Sequence, residues 1–164
     1  MDFAATTFAE ASFDVVWNLE SVSHANDVSG YLDHVWYLLR DGGRFACADL
    51  FLGTAGKSEH AAAMCEGWVL PNLRTREHVA GELVRRGFHE VESLDLTPQV
   101  MASAQAMRAV ASAKKFELLL GQALAQSPGD VTHHRHLEAS LGAVAGLESG
   151  AVTYGYEGSV RPAR

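Results

Sequence analysis

Cysteine is scarce in this sequence: its 164 residues include two, Cys47 and Cys65, and these lack C-x-x-C spacing. Both stand in apolar surroundings, where a cysteine usually packs as a small buried side chain. We therefore expect two reduced, packed thiols, as in a cytoplasmic enzyme.

Basic residues and long apolar runs are also scarce. The 13 Lys and Arg residues stand against 20 Asp and Glu, which gives a net charge of −7. A nucleic-acid-binding surface needs clustered cations, so this balance argues against a nucleic-acid partner. No apolar run is long enough to span a bilayer, and no charged and apolar leader opens the chain. We expect a cytoplasmic protein without a membrane span.

The first half of the chain predicts a strand, a helix and a second strand. Residues Phe13 to Val22 are rich in β-forming residues without strict alternation, which predicts a strand covered on both faces. Apolar residues then recur at helical spacing, with Asn26 or Asp27 as a cap and Gly42-Gly43 as the stop. Arg44 to Leu52 is the second predicted strand. Such a unit is almost always a right-handed parallel crossover.

The second half predicts three helices, a short helical segment and two strands. The predicted elements are a short helix around residues 61–68, a helix from its cap Thr75 to Gly87, a strand over 91–96, helices over about 101–125 and 130–147 that are separated by 127–129, and a strand over 151–160. The two long helices form an insertion of about residues 99–149. The order indicates an α/β layer fold whose last two strands are antiparallel neighbours.

Ligands of an open α/β sheet bind beyond the carboxyl ends of its parallel strands. Here those ends are Asn18 to His24 and Asp49 to Leu52. Functional residues are expected there.

Three segments resemble class I S-adenosylmethionine-dependent methyltransferases. Asp2-Phe3 with the run F-A-E-A-S-F-D-V-V at 8–16 is similar to the segment that leads into that family's fourth strand. The run L-R-D-G-G-R at 39–44 resembles its helix-ending turn, and residues 147–156 resemble its final strand. Glu20-Ser21, His24 and the run at 95–98 look most like the branch that methylates sterols, tocopherols and prenyl diphosphates. The resemblance covers essentially the whole chain.

The resemblance implies a Rossmann-like sheet that lacks its first three strands, in a partial methyltransferase domain over residues 1–164. The family's strand order places the Phe13 strand at an edge, with Val15, Trp17 and Leu19 partly uncovered. The family's glycine loop and its ribose-binding acid have no counterpart, and G-x-G-x-x-G occurs nowhere in the sequence. We therefore expect a truncated C-terminal half that is inactive alone, with a complementing chain or a homo-oligomer as its partner.

The cofactor that the resemblance implies is S-adenosylmethionine, with an incomplete site in this chain. Asp2 matches the acid that accepts a hydrogen bond from the adenine amino group, and Phe3 would lie beside the ring. Asn18 and Leu19 close the strand where family members offer backbone groups to the cofactor.

Glu20 and His24 are the predicted catalytic residues for methyl transfer to a small-molecule acceptor. A carboxylate and an imidazole beyond a strand end can deprotonate a nucleophile or stabilise developing positive charge. Asp49 ends the second strand, and Trp68 stands where the family often places a substrate lid, so both are predicted to bind the acceptor. Each of these residues also has a structural explanation, as part of a capped loop or of core packing.

Two other functions are alternatives to methyl transfer. The absent glycine loop favours a non-catalytic binding or scaffold module that retains part of the fold. A short-chain nicotinamide-dependent reductase needs Tyr-x-x-x-Lys, and none of the four tyrosines has a lysine four residues on. His133, His134 and His136 lack the spacing and the nearby partners of a tetrahedral metal site, so we expect no metal.

Overall fold

The computed structural model describes residues 2–56, 58–71, 73–125 and 131–163, with the side chains at 121–125 and 131–132 left aside. The chain divides into two compact units. The first comprises Met1–Phe51, Pro71–Leu96 and Tyr154–Arg164, and the second comprises Leu52–Leu70 and Thr97–Thr153.

Four strands form one sheet in the order β1-β2-β4-β3. The strands are β1 Phe13–Leu19, β2 Leu39–Leu52, β3 His89–Asp95 and β4 Val152–Val160. The helices are α1 Val28–Leu38, α2 Glu59–Gly67, α3 Arg76–Arg85, α4 Thr97–Ala125 and α5 Val131–Ser149, with a 3-10 turn at Val22–His24. β1 pairs with β2 in parallel, and β3 pairs with β4 in antiparallel fashion. The predicted layer fold, the edge position of β1 and the antiparallel last pair are confirmed.

Both predicted helix starts in the first unit are capped as the sequence indicates. Asp27 accepts a hydrogen bond from the Gly30 backbone N–H at 3.0 Å, and Thr75 accepts one from the His78 N–H at 3.2 Å. These side chains satisfy donors that a helix terminus otherwise leaves unpaired. They fix where α1 and α3 begin.

The predicted boundary between α1 and β2 is wrong. α1 ends at Leu38 and Leu39 is already extended and paired with Phe13, whereas the prediction ran the helix to Gly42-Gly43. The register shifts between Phe13 and Val15, which lie opposite Leu39 and Arg44. Gly42 has a φ of +75° within this bulge, a conformation that glycine adopts without strain. The glycines therefore form a bulge inside β2.

Three further boundaries differ from the prediction. β1 ends at Leu19 rather than Val22, because the chain turns at Glu20 and forms the 3-10 turn. β3 begins at His89, and α4 begins at Thr97 with Pro98 in its first turn. Proline is tolerated there because the first helical N–H groups have no partner within the helix. The predicted break at residues 127–129 lies outside the described residues.

One face of β1 is exposed, so the prediction of a strand covered on both faces is wrong. Val15, Trp17 and Leu19 are 53%, 55% and 59% exposed, whereas Val16 on the opposite face packs against the core. Alternate residues of a strand point to opposite faces. The prediction that these three side chains are left uncovered is confirmed.

The core of the first unit lies between one face of the sheet and the helices α1 and α3. Its fully buried members include Leu32, Val35, Leu39, Phe45, Cys47, Val79 and Leu83. Burying a side chain of this size stabilises a fold by about 1.5–3 kcal/mol. Cys47 is thus a packed thiol, as expected, and Cys65 in the second unit is partly buried.

The second unit contains α2, α4 and α5, and residues 99–149 of the expected insertion lie in it together with residues 52–70. A Cβ on Gly67 of α2 would lie 2.4 Å from the Arg135 carbonyl oxygen, so the glycine allows α2 and α5 to approach closely. In the part of the chain that the structure describes, no helix has the length and apolar character needed to span a bilayer.

Candidate functional site

The carboxyl ends of β1 and β2 lie side by side, as a parallel pair requires. The Glu20 backbone N–H donates to the Ala48 carbonyl at 2.8 Å, which holds the residue after β1 against β2. Glu20 has a φ of +50°, in the left-handed region that a residue with a Cβ rarely adopts. The chain turns sharply at Glu20, and its carboxylate is exposed at the sheet edge that was predicted to carry function.

Asn18 fixes the turn that follows β1. Its amide nitrogen donates to the Ser21 hydroxyl at 2.9 Å, and its amide oxygen accepts from the Tyr31 hydroxyl. Burial raises the pKa of Tyr31, so this hydroxyl stays protonated and donates. The Asn18 side chain is therefore engaged within the fold, and Leu19 beside it is exposed.

The structure brings Asp2, Phe3 and His24 together in one cavity of about 330 Å³. Phe3 packs edge-on against Tyr31, with ring centroids 5.5 Å apart. The Asp2 carboxylate accepts from the Ala4 backbone N–H at 2.9 Å through one oxygen. The other residues that line the cavity are Ala4, Ala25, Asn26, Asp27, Gly30 and Tyr31.

Glu20 is paired with Tyr154 at the start of β4. The Tyr154 hydroxyl donates to Glu20 Oε1 at 3.2 Å. Burial, followed by the negative charge of Glu20, raises the pKa of Tyr154 to about 12. Sequence reasoning placed Tyr154 in the final strand but gave it no part in the site. Tyr154 lies near Glu20 because β4 is beside β2 in the sheet, and this neighbourhood can be recognised only once the strand order is known.

Asp49 is 1% exposed, and its carboxylate accepts hydrogen bonds from nearby backbone N–H groups. One oxygen accepts from the Ser23 N–H at 3.0 Å, and the other accepts from the Leu50 N–H at 2.7 Å. Asp49 also borders a cavity of about 10 Å³ with Arg74, which is room for about one water molecule. Asp49 thus connects the end of β2 to the 3-10 turn.

Trp68 belongs to the second unit, whereas the other predicted site residues belong to the first. It follows α2, where its backbone N–H donates to the Met64 carbonyl at 3.0 Å, and its side chain is partly buried.

A buried carboxyl group that the sequence analysis missed lies in β4. Glu157 is fully buried, and one of its oxygens accepts from the Ser93 hydroxyl at 2.6 Å. Burial raises the pKa of Glu157 to about 7. Burial also raises the pKa of the nearby Cys47 thiol to about 12, so this cysteine is unreactive as a nucleophile.

Among the described residues, no group of three or more His, Cys, Asp and Glu side chains could hold a metal ion. Of the three histidines near the start of α5, His134 lies 3.6 Å from Glu138 and forms an exposed i,i+4 pair.

Comparison with known proteins finds similar methyltransferases both by sequence and by fold. A family model described as a methyltransferase domain matches residues 1–47. An O-methyltransferase of Aspergillus nomiae is 33% identical over 90 residues, which are 54% of this chain and 40% of the relative.

Two solved structures share the fold over 98% of this chain at 16% identity. A Haemonchus contortus phosphoethanolamine N-methyltransferase in complex with phosphomonomethylethanolamine and S-adenosylhomocysteine has a TM-score of 0.76, with 36% of that protein covered. A Streptomyces coelicolor geranyl diphosphate C-methyltransferase has a TM-score of 0.71, with 52% covered.

The chain spans between 28% and 40% of the length of the curated relatives that it matches. Those relatives include O-methyltransferases and a sterol C-methyltransferase of rice, and the shared fold extends to a prenyl-diphosphate C-methyltransferase. By the domain model matched over residues 1–47, its relatives and its fold, this chain is similar to class I S-adenosylmethionine-dependent methyltransferases.

Proposed function

We propose that this chain forms part of an enzyme that transfers a methyl group from S-adenosylmethionine to a small-molecule acceptor. The observation that carries the proposal is the site at the carboxyl ends of β1 and β2. There a cavity lined by Asp2, Phe3 and His24 lies in the same unit as the exposed carboxylate of Glu20.

Asp2 and Phe3 are the residues that would hold the adenine end of the cofactor. Phe3 is already oriented by Tyr31, and the Asp2 carboxylate has a second oxygen that can accept a hydrogen bond from an amino group. Backbone groups of Asn18 and Leu19 would bind the remainder. When bound, S-adenosylmethionine supplies a methyl group that its sulfonium already activates. A volume of about 330 Å³ lies near the lower end of the roughly 300–1,000 Å³ of small-molecule sites, so we expect this cavity to hold only part of the cofactor.

Glu20 and His24 are the proposed catalytic residues. An exposed carboxylate fixed by its backbone and by Tyr154 can remove a proton from an acceptor hydroxyl, amine or acidic carbon. His24 lines the cavity that contains Asp2 and Phe3. An imidazole at this place can also accept a proton from the acceptor. Asp49 and Trp68 are proposed to contribute to binding of the acceptor. Because the Asp49 carboxylate is buried, we propose that it acts on the acceptor through the turn that it orders.

Enzymes that share this fold act on phosphorylated amines and prenyl diphosphates, and sequence relatives are O-methyltransferases. These names support a small-molecule acceptor. The exposed edge of β1 offers a place where a complementing chain or a second copy of this chain can bind. We also propose that the enzyme is cytoplasmic.

A non-catalytic binding or scaffold module is the alternative. It is favoured by a specific observation: no G-x-G-x-x-G sequence is present to hold the cofactor's methionine part, while Asn18 and Asp49 are used within the fold. A module of this kind would retain Glu20 without needing it.

The test is calorimetry with S-adenosylhomocysteine on this chain and on the longest protein that its gene encodes. We expect very weak binding or none by this chain, because each lost charge-assisted hydrogen bond removes about 1.5–3 kcal/mol. The longest protein should bind and should methylate a small molecule with labelled cofactor, and Glu20→Gln should reduce that turnover while the exposed control Glu10→Gln does not. Binding without turnover on any acceptor would favour the scaffold module.

A further inference from the structure

Glu20 and Tyr154 lie 134 positions apart in sequence and meet at the carboxyl end of the parallel strands. Glu20 follows the edge strand β1, and Tyr154 stands near the start of β4, on the far side of β2. Because two distant segments must both be in place for the 3.2 Å contact to form, the folded sheet determines the position of the carboxylate.

The backbone of Glu20 is held in a conformation that its side chain disfavours. Its φ is +50°, and its N–H is bound to the Ala48 carbonyl at 2.8 Å. Left-handed residues other than glycine are found where surrounding contacts impose them, often at functional sites. A glycine would serve a purely structural turn at lower cost, so the presence of a glutamate here requires a reason.

The hydrogen bond between the two side chains has a fixed direction. The pKa of Tyr154 is about 12, raised by burial and then by the negative charges of Glu20 and Asp49. The hydroxyl is therefore protonated at ordinary pH and donates, and Glu20 accepts through Oε1. The second carboxylate oxygen, Oε2, is left for another partner.

We propose that Tyr154 is a positioning residue that holds the Glu20 carboxylate so that Oε2 accepts a proton from the acceptor. This role rests on the proposed function. In the step, the bond between the acceptor atom and its hydrogen breaks, an O–H bond forms at Oε2, and the electron pair stays on the acceptor atom. Tyr154 keeps its own proton throughout and acts through its hydrogen bond to Glu20.

The test is a double-mutant cycle in the longest protein that the gene encodes, with Tyr154→Phe, Glu20→Gln and the pair. Losing a hydrogen bond to a charged group should lower kcat by about tenfold to hundredfold in Tyr154→Phe, with little change in KM for the acceptor. In the Glu20→Gln background the same change should have little further effect. Tyr156→Phe, on the same strand, is the matched control and should keep its turnover.

Glu20→Gly separates folding from positioning. Glycine adopts a φ of +50° without strain, so this variant should keep the Tm of the parent protein while turnover falls. A fall in Tm of more than about 4 °C would show that the side chain serves the fold and would overturn the positioning role.

The remaining outcomes are distinct. Normal kcat in Tyr154→Phe, or an equal loss of kcat in the Glu20→Gln background, overturns the positioning role and leaves the proposed function standing. A parent protein without methyl transfer to any acceptor overturns the proposed function and the positioning role together.

Discussion

The carboxylate of Asp49 accepts a hydrogen bond from the backbone N–H of Ser23 at 3.0 Å, which joins the end of β2 to the 3-10 turn after β1. The same carboxylate accepts from the Leu50 N–H. Two neighbouring strand ends are thus tied by one buried side chain, and the turn between Glu20 and His24 is ordered by it. Asp49 therefore affects the site even without touching a ligand.

Asp49→Ala should lower the free energy of unfolding by about 1–3 kcal/mol, because it leaves a buried backbone donor without a partner. Chemical denaturation of the chain measures this change. Asp14→Ala is the control, since Asp14 forms an exposed pair with Arg40 and such pairs contribute about 0–1 kcal/mol. Equal losses in the two variants would contradict a structural role for Asp49.

Glu157 should make the fold less stable as pH rises from about 4.5 to about 7. Its pKa is raised from 4.5 to about 7 in the folded protein, chiefly by burial, so the folded state binds a proton in this range that the unfolded state has released. The contribution of the protonated Glu157 to the free energy of unfolding is fully present below about pH 4.5 and is lost as pH rises through about 7. This contribution is about 3 kcal/mol.

The measurement is the free energy of unfolding at several pH values for the parent chain and for Glu157→Gln. The substitution should remove this part of the pH dependence, while Glu92→Gln, at an exposed position of β3, should retain it. Parallel pH curves for the parent and Glu157→Gln would show that another group is responsible.

Helix caps and the neighbours of the outer strands were predictable from the sequence and its resemblance, and long-range contacts between side chains were not. Asp27 and Thr75 cap helices through side-chain oxygens that accept from the backbone N–H three residues later. Because donor and acceptor are close in sequence, this pattern can be recognised from the sequence alone. The bulge at Gly42 was mistaken for a helix stop because both uses of glycine depend on the same left-handed backbone.

The site shows the same division. The sequence placed Asp2, Phe3 and Glu20 near the strand ends from a resemblance to a family, whose fold is confirmed. The partner of Glu20 could not be found in this way, because Tyr154 becomes its neighbour only through the order of the strands. Glu157 was missed for a related reason: its burial comes from the neighbours of β4 and not from its own segment.

The exposed edge of β1 should cause self-association of the isolated chain. Val15, Trp17 and Leu19 form an apolar row beside unpaired backbone groups, and such edges pair readily with other strands. Trp17→Lys should shift sedimentation velocity profiles toward the monomer at a given concentration. Val84→Lys, which alters an exposed apolar residue of α3, should not. Unchanged association in Trp17→Lys would assign the contact to another surface.

Glu20→Gln and His24→Ala should each lower turnover more than affinity for S-adenosylhomocysteine in the longest protein that the gene encodes. A group that transfers a proton contributes about 10²- to 10⁴-fold to the rate. Steady-state kinetics and calorimetry measure the two quantities, and His89→Ala, on the exposed strand β3, is the control. His24→Ala is the more informative variant, because His24 lines the cavity that contains Asp2 and Phe3 and could therefore contact either the cofactor or the acceptor. A larger loss of affinity than of turnover in His24→Ala would make this imidazole a cofactor contact and leave Glu20 as the proton acceptor.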